Sequence, residues 1–158
     1  MSAIPMTKLG RELIEKELNE LKTVERPRII EEIAAARALG DLKENAEYHS
    51  AREQQSFIEG RIRELETKLS HAQVIEIDKI ANHGKVIFGS TVTIESVNDG
   101  KKMTYQIVGE DEANIAELKV SVTSPVARAL IGKVVDDSVE VITPNGEVLY
   151  DIVKVEYI

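Results

Sequence analysis

Apolar residues recur at steps of three and four along the first half of the chain and alternate with polar residues along the second. The two periods predict two kinds of structure, helices first and strands after. Leu9, Leu13, Ile14, Leu18 and Leu21 mark the inner face of a first helix that Thr7 can cap. Pro27 removes one backbone hydrogen bond and crowds the preceding turn, which predicts a kink or short break near Glu25 to Arg28. The pattern resumes at Ile29, Ile33 and Ala36, shifted by one residue relative to the stretch before the proline, so a local phase adjustment is expected. Gly40 suits the left-handed position that ends a helix.

Asn45 is a good N-cap for a second helix, with Glu47 in its first turn where a negative charge favours the helix dipole. Tyr48, Ala51, Gln55, Ile58, Ile62, Leu65, Leu69 and Ala72 then follow alternating steps of three and four, the seam of a coiled coil. Only Asp41 to Glu44 separate the helices, so they are expected to run antiparallel. At about 1.5 Å per residue a helix over 46–72 extends roughly 40 Å. The hairpin should be a rod with residues 41–45 at its far tip.

From about residue 84 onward Val, Ile, Thr and Tyr alternate with polar residues, and the pattern predicts strands near 74–77, 85–88, 91–97, 103–108, 118–122, 139–142 and 147–157. Pro144, Asn145 and Gly146 turn the chain between the last two, and "GEDEAN" at 109–114 is expected as a solvated loop. Ser124 to Gly132 predicts a short helix with Ser124 as cap, Pro125 at the first helical position, Val126, Ala129 and Leu130 as its apolar face, and Gly132 as stop. The expected class is α+β, with two domains: an antiparallel coiled coil over 1–76 and an antiparallel sheet with a short helix over 77–158.

Composition narrows what such a protein does. With 158 residues, 42% of them hydrophobic, the chain has enough apolar mass for a sizeable core. Its net charge of −8 argues against holding duplex DNA by charge alone, and no independent sequence-specific DNA binding is expected. Neither part is basic: residues 1–76 hold 12 basic and 15 acidic side chains, net −3, and residues 77–158 hold 8 and 13, net −5. The absence of cysteine excludes a thiolate nucleophile and the usual zinc sites, and fits a reducing compartment. No apolar run approaches the roughly 20 residues needed to span a bilayer, and no export signal opens the chain. The cytoplasm is the expected location, with no membrane partner.

His49, His71 and His83 fall in unrelated contexts, and no glycine-rich phosphate loop occurs, so nucleophilic catalysis and nucleotide binding find no support. Asp41 and Glu44 admit two readings. They could be solvated turn residues, Asp41 closing an Asx-turn and Glu44 preceding a helix dipole. Alternatively, two carboxylates at the end of a thin rod could be carried into a channel to help hold a hydrated divalent metal. Magnesium usually takes one or two carboxylates and keeps several waters, so two acids could complete a site but not build one. Leu42 has no obvious core to enter at such a tip.

The segment "AAARALGDLKENAEYHSAREQQSFIEGRIRELETKL" at 34–69 resembles the bacterial Gre family of transcript cleavage factors. So do "VIFGSTVTI" at 86–94, "SPVARALIGK" at 124–133, and the closing "TPNGEV" and "VKVEYI". The resemblance covers essentially the whole chain. It implies a C-terminal domain similar to FK506-binding proteins, docked at the rim of the secondary channel of a backtracked RNA polymerase, with the coiled coil inside that channel. The tip acids, Asp41 and Glu44 here, would then help the polymerase hold its second Mg²⁺, so that the polymerase cleaves its own transcript. By the same resemblance Leu42 contacts the polymerase and Arg37 and Arg52 form a basic patch facing the extruded RNA 3′ end. On composition alone those arginines read as surface residues of a charged coiled coil. Glu59 and Gly60, where a more extended basic face could lie, favour the family type that acts on short backtracked ends. The region Ser124 to Gly132 would take part in docking.

An accessory factor with no cofactor of its own, sharing the polymerase's Mg²⁺, is the leading expectation. A coiled-coil adaptor or a channel-occupying inhibitor that does not promote cleavage is the alternative, and it has no need of Asp41 and Glu44. A prolyl isomerase is disfavoured, because the second domain offers only Phe88, Tyr105, Tyr150 and Tyr157 for an aromatic pocket.

Overall fold

A computed structural model describes residues 2–158. The chain forms two compact units, one made of Glu12–His71 and the other of Ser2–Arg11 with Ala72–Ile158. Strand β1 (Ile4–Thr7) leads into α1 (Lys8–Glu20), a π-helical turn (Leu21–Glu25) and α2 (Arg26–Arg37). After the turn at 38–45 the chain returns as α3 (Ala46–Ser70).

Within the first unit the arms are antiparallel, as their bridging pairs require: Arg26 meets Glu59 at 2.9 Å, and Lys22 meets Glu66 at 3.3 Å. Ile29, Ala51, Ile58 and Ile62 form the buried seam, with Leu18, Leu21 and Ile33 packed against it. Every expected seam position from Tyr48 to Leu69 is buried or half-buried. The first arm departs from expectation at its start. Leu9 and Leu13 are each 46% exposed, and only Ile14 of that group is buried. Ile14, Leu18 and Leu21 already keep the four-then-three step, so Leu13 lies beside the stripe instead of on it.

The interruption expected at Glu25 to Arg28 falls one turn earlier. The Arg26 N–H bonds to the Leu21 carbonyl, five residues back, so the helix takes in one extra residue before Pro27. That extra residue accounts for the seam's shift by one. Steps of four and three from Leu21 would put residues 25 and 28 inward, whereas Ile29 and Ala36 are the buried ones. The wider turn also receives a proline, which offers no N–H and whose ring would crowd a regular preceding turn.

In the second unit a five-stranded sheet has the order β5-β4-β3-β7-β6. Its strands are β3 (Thr91–Ser96), β4 (Lys102–Val108), β5 (Lys119–Ser121), β6 (Ser138–Thr143) and β7 (Gly146–Glu156). All neighbours are antiparallel except β4 and β5, so the sheet is mixed where a purely antiparallel one was expected. Helix α4 (Pro125–Leu130) packs on it, and Val86, Val92, Ile94, Ile107, Leu130 and Ile152 lie at the centre of the core. On α4 the fully buried residues are Ala127 and Leu130, while Val126 and Ala129 are half-buried.

Two local expectations change. Residues 85–88 form no strand: Lys85 makes one isolated bridge to Val134, and the Ser90 hydroxyl then curls the chain by donating to the Ile87 carbonyl at 2.6 Å. Gly89 sits there at φ +90, where an added Cβ would meet Ile77 at 3.2 Å. The strand expected at 74–77 is β2 (Ala72–Ile75), which takes Ala72 from the end of the predicted helix and pairs in parallel with β1. Among the described residues no helix is long and apolar enough to cross a membrane.

Candidate functional site

The turn between the arms is built by backbone first. The Leu39 N–H bonds to the Ala36 carbonyl at 3.1 Å and the Gly40 N–H to the Arg37 carbonyl at 3.4 Å, which ends α2. Gly40 then takes φ +120 with open space around its Cα, a backbone state glycine adopts without strain.

Asp41 closes the next step. Its Oδ1 accepts the Lys43 N–H at 2.9 Å, an Asx-turn, so the structural reading of this carboxylate holds for one of its oxygens. Asp41 and Glu44 are both exposed, and among the described residues Glu44 forms no hydrogen bond or ion pair. Leu42 is half-buried, not the fully exposed side chain that a hairpin tip suggests.

Asn45 starts α3 as expected, its Oδ1 accepting the Tyr48 N–H at 3.0 Å. Two contacts escape sequence reasoning. The Asn45 side-chain amide donates to the Ala36 carbonyl across the turn, and His49 Nε2 lies 3.1 Å from the Lys43 carbonyl oxygen. Only the folded turn brings those groups together, since residues nine and six apart share no local periodicity.

The two arginines sit on separate arms. Arg37 is exposed in the last turn of α2, where a positive charge favours the helix dipole. Arg52 is exposed on α3, its guanidinium 5.9 Å from the Tyr48 ring centroid and its Nη1 3.2 Å from the Tyr48 hydroxyl. The aromatic contact limits the swing of a long side chain that would otherwise be free. Beside the turn an open groove of about 570 Å³ runs between the arms, floored by Ala35, Ala36, Ala46 and Ala51 and flanked by Glu32 and Glu47.

Chemically the turn offers two accessible carboxylates on a short, hydrogen-bonded loop. Among the described residues no group of three or more His, Asp or Glu side chains gathers as a metal site. The pair suits a shared site, in which another molecule brings the remaining ligands.

In the second unit Ser124 caps α4: its Oγ donates to the Ser121 carbonyl at 2.6 Å and accepts the Ala127 N–H at 3.3 Å. Pro125, Arg128, Ile131 and Gly132 are exposed along this region, and the buried Ala127 and Leu130 anchor it. One short helix therefore serves the core with one face and leaves another free.

Residues 4–74 match the family model described as "Transcription elongation factor, N-terminal", and residues 81–157 match that of "Transcription elongation factor, GreA/GreB, C-term". The chain is 65% identical over 158 residues to transcription elongation factor GreA of Legionella pneumophila strain Corby, covering 100% of this chain and 99% of the relative. It is 60% identical over 157 residues to the GreA of Haemophilus ducreyi, covering 99% of each. Among solved structures, GreA factor homolog 1 (Gfh1) of Thermus thermophilus aligns at 27% identity and a TM-score of 0.43, over 98% of this chain and 99% of that one.

Proposed function

Because the chain belongs to the GreA/GreB family of transcription elongation factors, we propose that it serves bacterial RNA polymerase by stimulating the polymerase's own cleavage of backtracked RNA. It is an accessory factor, and the polymerase is the enzyme. The helical hairpin enters the secondary channel and brings Asp41 and Glu44 to the active centre, while the region Ser124 to Gly132 docks at the channel rim. The factor works in the cytoplasm, where transcription takes place.

The observation that carries this reading is the state of the two acids. Asp41 spends one oxygen on the Lys43 N–H and keeps Oδ2 available, and Glu44 is uncommitted among the described residues. A pair of exposed carboxylates fits Mg²⁺, a hard cation that accepts one or two of them and retains water. Bound between factor and polymerase, such an ion supplies Lewis-acid stabilisation and an acidified water. Asp41 and Glu44 would contribute its carboxylate ligands.

The chain's own part is placement and charge. Two negative groups on a hydrogen-bonded turn raise the local affinity for a cation without any sizeable rearrangement. Arg37 and Arg52 face the extruded RNA 3′ end, where guanidinium groups suit phosphate oxygens. Leu42 contacts the polymerase. The factor carries no cofactor of its own and shares the polymerase's metal.

The test is a stalled, backtracked elongation complex holding end-labelled RNA in Mg²⁺ buffer. Addition of the factor should shorten the transcript and restore extension. A factor that binds the polymerase without shortening the RNA would be a channel-occupying inhibitor or adaptor instead.

A further inference from the structure

The two carboxylates are not the only polar side chains built into the turn. Capping α3 needs only the Asn45 oxygen, yet the nitrogen of the same side chain donates to the Ala36 carbonyl at the end of α2. One residue thus ties the end of one arm to the start of the other. His49 adds a second tie. A carbonyl oxygen can only accept, so the His49 Nε2 lying 3.1 Å from the Lys43 oxygen must carry the proton.

Lys43 lies between the two acids, and both polar groups of its backbone are held by side chains. Asp41 takes the N–H at 2.9 Å and His49 takes the carbonyl. Glu44 follows that carbonyl directly and is followed by Asn45, so it sits between two anchored residues. Without these ties an exposed loop beginning at Gly40 would have many conformations to lose before both carboxylates could act together. Asn45 and His49 remove that cost in advance.

We infer that Asn45 and His49 are positioning residues of the acidic turn: Asn45 locks the two arms together across it, and His49 fixes the Lys43 peptide that sets the spacing of Asp41 and Glu44. The inference rests on the reading of those two acids as partners of a polymerase-held metal.

Three variants separate positioning from folding. Asn45→Ser keeps an oxygen to cap α3 but cannot reach Ala36. His49→Phe keeps a ring against Tyr48, whose centroid is 5.6 Å from that of His49, but has no donor. His49→Gln restores an N–H donor. With each variant added to the backtracked complex, three quantities are read: the maximal cleavage rate at saturating factor, the factor concentration at half-saturation, and the Mg²⁺ concentration at half-maximal rate. Asn45→Ser and His49→Phe should lower the maximal rate about tenfold or more and raise the Mg²⁺ requirement, with half-saturation moved by less than about twofold. His49→Gln should recover most of the rate, and helix content by circular dichroism should stay at the wild-type value.

Full maximal rate and an unchanged Mg²⁺ requirement in both Asn45→Ser and His49→Phe would overturn the inference. So would a loss that appears only as weaker binding to the polymerase. If Asn45→Ser loses helix content, the His49 pair decides alone. An Asp41→Ala, Glu44→Ala factor run in parallel tells the two failures apart. Should it cleave like wild type, the reading of the acids has failed. Should it be inactive while the positioning variants are fully active, only the positioning role has failed.

Discussion

The hydroxyl of Thr7 donates to the carboxylate of Glu112 while accepting the N–H of Gly10 at 2.9 Å. Both side chains are buried, and the second Glu112 oxygen lies 3.5 Å from Lys119 Nζ. A single residue therefore ends β1, caps α1 and satisfies a buried acid. Gly10 belongs to the same arrangement, since an added Cβ there would come within 2.7 Å of Glu112 Oε1.

Thr7→Val keeps the shape and removes both bonds. Losing a cap and leaving a buried carboxylate without its donor should together cost about 2 to 4 kcal/mol. Thr7→Ser, which keeps the hydroxyl, should stay within about 1 kcal/mol of wild type, the lost methyl being its main cost. Urea unfolding of the full chain, with unchanged slope in all three proteins, measures the difference.

The extra residue in the π turn and the proline after it should be thermodynamically coupled. Deleting Thr23 alone returns the seam to regular steps but forces Pro27 into an ordinary helix interior, at a cost of about 3 kcal/mol. Deleting Thr23 together with Pro27→Ala should relieve most of that and leave a continuous helix from α1 to α2. Thermal melts of the two variants test the coupling; equal stabilities would show that the proline is indifferent to the turn before it.

Tyr105 is 9% exposed, and burial raises its phenol above the ordinary tyrosine value near 10, with Tyr150 adding to the effect. A folded-state value above the unfolded one means that the native state holds its proton more tightly. The stabilisation is then complete below the ordinary value and is lost as pH rises through the elevated one. Absorbance titration of wild type against Tyr105→Phe should show that the tyrosine lost in the variant ionises above the ordinary value. Tyr105→Phe should flatten the alkaline fall in unfolding free energy.

Periodicity made the second arm legible: the unbroken alternation from Tyr48 to Leu69 allows one inward face, and its residues are buried or half-buried. It also exposed the one-residue shift at Pro27. The π turn that absorbs the shift was less visible, because its hydrogen bonds leave no compositional mark. Strand β1 was missed for a different reason. Four residues including Pro5 make too short a run to show a period, and their partner in β2 lies some seventy positions away in the register that pairs Ile4 with Ala72. Residues 85–88 have strand composition, but the Ser90 hydroxyl and Gly89 bend the chain instead. At the turn, Gly40, Asp41 and Asn45 could each be read from local chemistry. The Asn45 bond to Ala36 and the His49 bond to Lys43 depend on how the arms meet, which no window of sequence contains.

The role proposed for Asp41 and Glu44 depends on their charge and not on the fold of the turn. An Asp41→Asn, Glu44→Gln factor keeps side chains of the same shape, including an oxygen able to accept the Lys43 N–H, and removes both negative charges. With this factor at saturation on a backtracked complex, transcript shortening should fall to the rate seen without factor, while competition against wild type shows undiminished polymerase binding. Shortening at the wild-type rate would show that neither charge is needed for cleavage.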